Sequence, residues 1–293
     1  MEPVLTVLEI VAPVFILAAI GYAWVRLGFE YRLQFVTRMA MTLAVPCLIF
    51  TALMKTEIDP AALSTVSLAA LVMYGIVTLL CLAVVLLARL DRRTYLAPIT
   101  FGNTGNMGLP LALFAFGDEG LGYAVVVFAV MAIYSFTAGV WIVSGGGSPL
   151  KVVKEPLVAA TALGGLFLWR GWQTPVFLTH ALELIGQMAI PLMLVTLGVA
   201  IARLHPGHLP RAVWLSVVKL AVCVAAGVGV GMWFDLPPVP FGVLVLQVST
   251  PVAVTSYLLA EKYGADAEAV AGLVVVSTLL SVIALPVVLA FLI

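Results

Sequence analysis

Apolar length governs what this chain can fold into. A helix needs roughly 20 apolar residues to cross the hydrocarbon core of a bilayer. The sequence offers ten such runs almost end to end: 4–25, 33–54, 62–88, 94–116, 120–143, 155–170, 179–202, 211–233, 238–260 and 267–292. Of its 293 residues, 63% are hydrophobic and only 10% are charged. A water-soluble domain cannot hide that much apolar surface, so the solvent is lipid. The runs are too long and too evenly apolar for the roughly ten-residue alternating strands of a membrane barrel. The expected fold is an all-α polytopic membrane protein with ten transmembrane helices. The opening "MEPVLTVLEIVAPVF" has no basic region ahead of its apolar residues, so run 4–25 is expected to stay as a helix and not to be a cleaved leader.

Basic residues orient the helices. With ten crossings, one side of the membrane carries Arg26, Arg32, Arg38, Arg89, Arg92, Arg93, Lys151, Lys154, Arg203, Arg211 and Lys262, eleven of the fourteen Lys and Arg. The other side carries Lys55 and Arg170, and Lys219 belongs to neither. The positive-inside rule places the first group in the cytoplasm and both termini outside it. The expected location is the cell membrane, the inner one in a Gram-negative cell. The formal net charge is +0, which implies no nucleic-acid partner. Cys47, Cys81 and Cys223 lie in apolar runs without C-x-x-C spacing, as core or lipid-facing residues do.

The two halves resemble each other. "MTLAVPCLIFTAL" (41–53) matches "GQMAIPLMLVTLG" (186–198), with Pro46 and Pro191 separated by 145 positions. Gly21 and Gly164 stand 143 apart, and Pro110 and Pro251 stand 141 apart. Similar acidic turns follow each of the last pair, "FGDEG" and "YGADAE". Near-constant spacing points to a duplication of five helices. Five is odd, so the second copy crosses the membrane in the opposite sense, as in many secondary transporters. The expected units are 1–143, a short cytoplasmic connection at 144–154, and 155–293.

Polar residues then interrupt the grease at matching places. "FGNTGNMGLPL" (101–111) carries three glycines and a proline inside run 94–116, and "LQVSTPVAVTSY" (246–257) lies inside run 238–260. Pro lacks an N–H and Gly weakens a helix, so both runs should break near their middles. Unwound backbone survives at membrane depth only within protein or beside a water cavity. Each break exposes carbonyls at one half-helix end and N–H groups at the next, where an anion can bind. The candidate substrate-binding residues are Asn103, Thr104, Gly105, Asn106, Pro110, Gln247, Ser249, Thr250 and Pro251. Their amides, hydroxyls and freed backbone suit a small polar or anionic molecule. The competing reading is that these groups cap broken helices and glue neighbours together.

Lys219 lies nine residues into run 211–233, roughly 13 Å deep at about 1.5 Å per residue. Two readings stand: it snorkels to the interface, or it faces the interior with a charge or coupling role. In the second case it attracts an anionic substrate or takes the place of a coupling cation. Glu9 and Glu183 read as interfacial, and His180, His205 and His208 as loop or helix-end residues. Trp24, Trp141, Trp169, Trp172, Trp214 and Trp233 sit near run ends, as interface anchors do. No H-E-x-x-H, G-x-S-x-G or Walker A motif occurs, so neither an enzyme nor an ATP-driven pump is expected.

"FGNTGNMGLPLALFAFGDEGLGYAVVVFAV" (101–130) resembles the fourth-helix signature of the auxin efflux carrier family, and 249–292 is similar to its C-terminal signature. "PLMLVTLGVAI" (191–201) and "KEPLVAATALGGLF" (154–167) resemble it too. The likeness implies ten helices in two inverted repeats, with the fourth and ninth broken and crossed. It implies a scaffold of helices 1, 2, 6 and 7, a mobile transport domain of helices 3–5 and 8–10, an elevator mechanism and a homodimer. Plant members carry a long mid-chain cytoplasmic loop, and this chain has only 144–154, as in a compact prokaryotic member. The implied substrate is a small carboxylate such as malonate or malate. No cofactor is expected. The wider superfamily includes sodium–bile acid symporters. The crossover here has no Asp or Glu, which favours proton-linked or facilitated transport and leaves H+ and Na+ both open as coupling ions.

Overall fold

A computed structural model describes residues 2–55, 57–145, 156–204 and 207–293. Most of the 144–154 connection, with Lys151 and Lys154, and His205 lie outside the described residues. The described chain is helical, with an isolated antiparallel bridge between Gly102 and Val252.

In chain order the helices are α1 (Glu2–Arg26), α2 (Leu33–Met39), α3 (Val45–Lys55), α4 (Pro60–Leu87), α5 (Arg92–Thr100), α6 (Leu109–Tyr134) and α7 (Val140–Ser144). They continue as α8 (Pro156–Arg170), α9 (Val176–Gln187), α10 (Ala189–Arg203), α11 (Leu209–Trp233), α12 (Pro238–Val248), α13 (Val254–Tyr263) and α14 (Ala267–Leu292). Wide π turns at Ala40–Ala44, Thr104–Gly108 and Ser135–Gly139 join or precede several of them.

Among the described residues, seven stretches are long and apolar enough to cross a membrane. Six coincide with expected runs: Val7–Arg26, Leu33–Lys55, Pro60–Leu87, Val176–Arg203, Leu209–Trp233 and Ala267–Leu292. The seventh, Thr104–Ser144, fuses the end of run 94–116 with run 120–143. The expected turn at "FGDEG" is present as a sharp kink between two helices: Gly117 has φ 65° and ψ −156°, outside helical values, and the second helix follows at once. A residue with a side chain is strained at that positive φ, which is why glycine serves there. The run at 155–170 yields 15 helical residues, short of a full crossing. The run at 238–260 is split into α12 and α13.

Short aspartates start three helices by accepting a backbone N–H: Asp59 from Ala61 (2.9 Å), Asp91 from Thr94 (2.9 Å) and Asp266 from Ala269 (3.0 Å). Burial pushes the Asp91 carboxyl up, but its bonds from the Thr94 hydroxyl and N–H outweigh this and hold it below its usual range. At the same end of the molecule, Arg93 donates to Val143 O (3.0 Å) and Tyr263 O (2.8 Å), tying the C-termini of α7 and α13 to the start of α5.

The most extensive helix pairings fall in two sets, which also touch each other where α1 meets α6 and α14 and where α3 meets α6. α1 lies along α10, and α3 lies against α8 and α9. α4 packs on α5, α6 and α11, and α11 packs on α12 and α14. Tyr74, Met73 and Val77 fill the second group where α4 meets its neighbours. Large apolar residues such as Leu87, Trp169, Trp233 and Phe291 are left on the outside, as a lipid solvent allows. Glu183 forms an ion pair with Lys55, clasping α9 to the end of α3.

α1 and α10 approach so closely that a Cβ on Gly21 would land on Val195 O, and one on Gly198 on Ala18 O. Small residues of this kind allow membrane helices to touch backbone to backbone. Gly198→Ala should therefore lower stability by about 2 kcal/mol or more by forcing the helices apart. Gly75→Ala, where a Cβ meets nothing within 4 Å, should be neutral or stabilising by about 0.5–1 kcal/mol. Thermal unfolding of both variants in detergent checks the contrast.

Candidate functional site

The two polar interruptions meet. α5 ends with Phe101 in an extended conformation (φ −99°, ψ 126°), and the chain stays unwound to Asn103. α12 ends at Val248, and residues 249–253 run unwound before α13. The two segments pass each other antiparallel, bridged between Gly102 and Val252. Asn103 N–H donates to Pro251 O at 2.7 Å, and Val252 N–H donates to Ser277 Oγ at 3.0 Å. Backbone freed from each helix is thus paired within protein, as its depth requires.

Glycines make the approach possible. A Cβ on Gly102 would strike Thr250 Oγ1, and one on Gly108 would strike the Gln247 amide at Oε1. Pro110 is the second residue of α6, and its missing N–H lies just after the π turn Thr104–Gly108. There the Asn103 carbonyl accepts from both Met107 N (3.0 Å) and Gly108 N (3.2 Å). The break itself falls earlier, at 101–103, where Phe101 packs against Tyr74 and Tyr134 at ring distances of 6.4 and 5.7 Å.

Each candidate residue has a definite place. Asn103, Thr104, Gly105, Pro110, Gln247, Ser249, Thr250 and Pro251 are buried, and Asn106 is half-buried. The Ser249 hydroxyl donates to Val245 O (2.6 Å) and the Thr250 hydroxyl to Gln247 O (2.7 Å), so both cap the end of α12. Gln247 Nε2 reaches Ala124 O on α6 at 3.4 Å. Gly105 lies against Phe128 and Met193, so this part of the crossing faces α10 of the other helix group. Five polar atoms among the described residues stay buried without a protein partner: Asn103 Nδ2, Thr104 Oγ1 and Gln247 Oε1 of the candidate residues, and the hydroxyls of Tyr74 and Ser216. Such atoms are rare in a finished interior and mark where a ligand or water completes the bonding.

Lys219 does not snorkel. It is 3% exposed, and its Nζ donates to Thr250 O at 2.8 Å. The ammonium sits at the negative end of the α12 dipole, between α11 and the second break.

Four residues around the crossing escaped the sequence reading: Tyr74, Ser216, Ser277 and Ser281. A signal existed for two of the elements. Ala212, Ser216, Lys219 and Cys223 recur every three to four residues on α11, and all are buried. Ser277 and Ser281 stand one turn apart on α14. Small polar residues at helical spacing mark a face turned to protein instead of lipid. Among the described residues, no group of His, Cys, Asp or Glu could hold a metal ion.

Comparison with known proteins bears on what such a crossing does. The profile of the family described as "Membrane transport protein" matches residues 6–163 and 145–289. An uncharacterized transporter of Methanothermobacter thermautotrophicus is 28% identical over 95% of this chain and 96% of its own length. A protein of Rhizobium meliloti, named as a proposed malonate transporter, is 24% identical over 93% of this chain and 92% of its own. An uncharacterized transporter of Methanocaldococcus jannaschii is 24% identical over 94% and 96%, respectively.

The Gly102–Thr250 contact can be tested on its own. Gly102→Ala should destabilise by about 1–3 kcal/mol, because Thr250 Oγ1 is held by Gln247 O and yields poorly. In a Thr250→Ala background the same substitution should cost clearly less. Additive effects in a thermal-unfolding double-mutant cycle would place the two segments apart.

Proposed function

We propose, because this chain belongs to the membrane transport protein family, that it is a secondary carrier of a small organic anion. The chain is a multi-pass membrane transporter and not an enzyme. The cargo we infer is a carboxylate of the size of malonate or malate. The observation that carries this reading is the crossing itself: two unwound segments, antiparallel, with Asn103 Nδ2, Thr104 Oγ1 and Gln247 Oε1 buried and unpartnered.

The chemistry suits an anion. Thr104, Gly105 and Asn106 open a helical run, and the first N–H groups of such a run lack intrahelical acceptors. They carry partial positive charge, and the Asn103 amide adds a donor beside them. A carboxylate there replaces its water shell with fixed dipoles. The name of the Rhizobium meliloti relative supports malonate as the first cargo to try.

The architecture we propose is ten crossings in two inverted repeats of five. α5 with 104–116 forms the fourth crossing, and α12 with α13 the ninth. The group containing α1, α3, α8, α9 and α10 serves as scaffold and dimer face. The group of α4–α7 and α11–α14 carries the site past it in an elevator motion. Both termini then lie outside the cytoplasm of a cell membrane. Lys219, the buried charge at the crossing, favours proton-linked or facilitated transport over sodium coupling.

Thr104→Val separates binding from mere capping. It removes an unpaired buried hydroxyl, so stability should hold or rise, by up to about 1–3 kcal/mol. Malonate counterflow in proteoliposomes should fall about tenfold or more. Lower stability with undiminished counterflow would show that Thr104 is structural. Saturable malonate binding without any counterflow would mark a receptor instead.

A further inference from the structure

The pocket behind the second break has a composition that suits a cation, and it already contains one. Ser216, Lys219, Ser249, Thr250, Ser277 and Ser281 line a small cavity between α11, the 249–253 segment and α14, with room left for about one water-sized molecule. Its oxygens come from four serines and Thr250, and Leu220, Pro251, Leu280 and Ala284 complete the wall. The hydroxyls of Ser249, Ser277 and Ser281 give their protons to Val245 O, Val274 O and Thr278 O at 2.6, 3.3 and 2.6 Å. Their remaining lone pairs are what they can offer the cavity. Ser277 spends one of its own on the Val252 N–H. Ser216 Oγ is buried and has no partner. The Thr250 carbonyl, two residues beyond the end of α12, adds the negative end of a helix dipole.

A buried ammonium ordinarily demands a carboxylate. The ion pairs among the described residues are Arg32–Glu30, Lys55–Glu183 and His208–Asp266, and Lys219 is in none of them. It donates to Thr250 O at 2.8 Å and to the soft Cys223 Sγ at 3.9 Å. A carbonyl oxygen at a helix end is therefore the main group set against its charge. This is the same chemistry by which proteins hold hard free cations. Lys219 reaches the pocket from within α11, one turn after Ser216, so its charge arrives on a covalent stem.

We propose that Lys219 is a tethered cation: its ammonium fills an oxygen-lined pocket that would otherwise take a free monovalent cation, and it holds the second break in shape without one. The crossing then needs no sodium to keep its carbonyls satisfied. Shortening Lys219 opens a site for sodium or for a small ammonium ion. The proposal rests on the crossing geometry and deepens the carrier reading, but its test needs no cargo.

The experiment is thermal unfolding of purified protein in choline chloride, sodium chloride or methylammonium chloride. Wild type should unfold at the same temperature in all three. Lys219→Ala should be less stable in choline and regain about 3 °C or more in sodium or methylammonium, the usual effect of a ligand bound only by the folded state. A Lys219→Ala protein indifferent to all three salts overturns the proposal, and so does a wild type stabilised by sodium. If Lys219→Ala yields no folded protein in choline, extraction in methylammonium decides the point. Recovered folded protein supports the proposal and continued absence overturns it. Cation-restored stability without carboxylate flux would retain this inference and remove the carrier reading.

Discussion

Everything in this molecule answers to one requirement: backbone polar groups inside a membrane must find partners within the protein. An unpaired group there costs several kcal/mol, and two unwound segments would present many. The chain meets the requirement by crossing those segments. Asn103 N–H bonds Pro251 O, Val252 N–H bonds Ser277, and Lys219 bonds the Thr250 carbonyl. Each break is thus completed by groups from the other break or from a neighbouring helix. The glycines follow from the same need, since Gly102 and Gly108 are where the crossing segments come nearest.

The two sets of helices differ in how they pack. The α1–α10 contact is tight, backbone on backbone at Gly21 and Gly198. The crossing lies in the other set, and its Gly105 is turned towards Met193 on α10.

Much of this was legible in the residues. Apolar length showed the membrane class, and the Gly and Pro clusters marked both breaks because those residues act through the backbone, which sequence reports directly. The acidic turn at "FGDEG" was legible for the same reason, since Gly117 takes the non-helical backbone between two helices. The orientation of Lys219 was not legible from depth alone, because depth along a helix says nothing of which face a side chain takes. The stripe of Ala212, Ser216 and Cys223 on the same helix held that information. Ser277 and Ser281 were hidden for a different reason: a serine in a long apolar helix has meaning only once its partner, here the Val252 N–H, is known.

The central claim is that cargo binds at the crossing. Amide hydrogen exchange of the purified protein, with and without malonate, reads this most directly. Binding should slow exchange at 101–108 and 247–253 and leave the α1 and α10 amides unchanged. Malonate that binds while protecting only other segments, or none, would contradict the account.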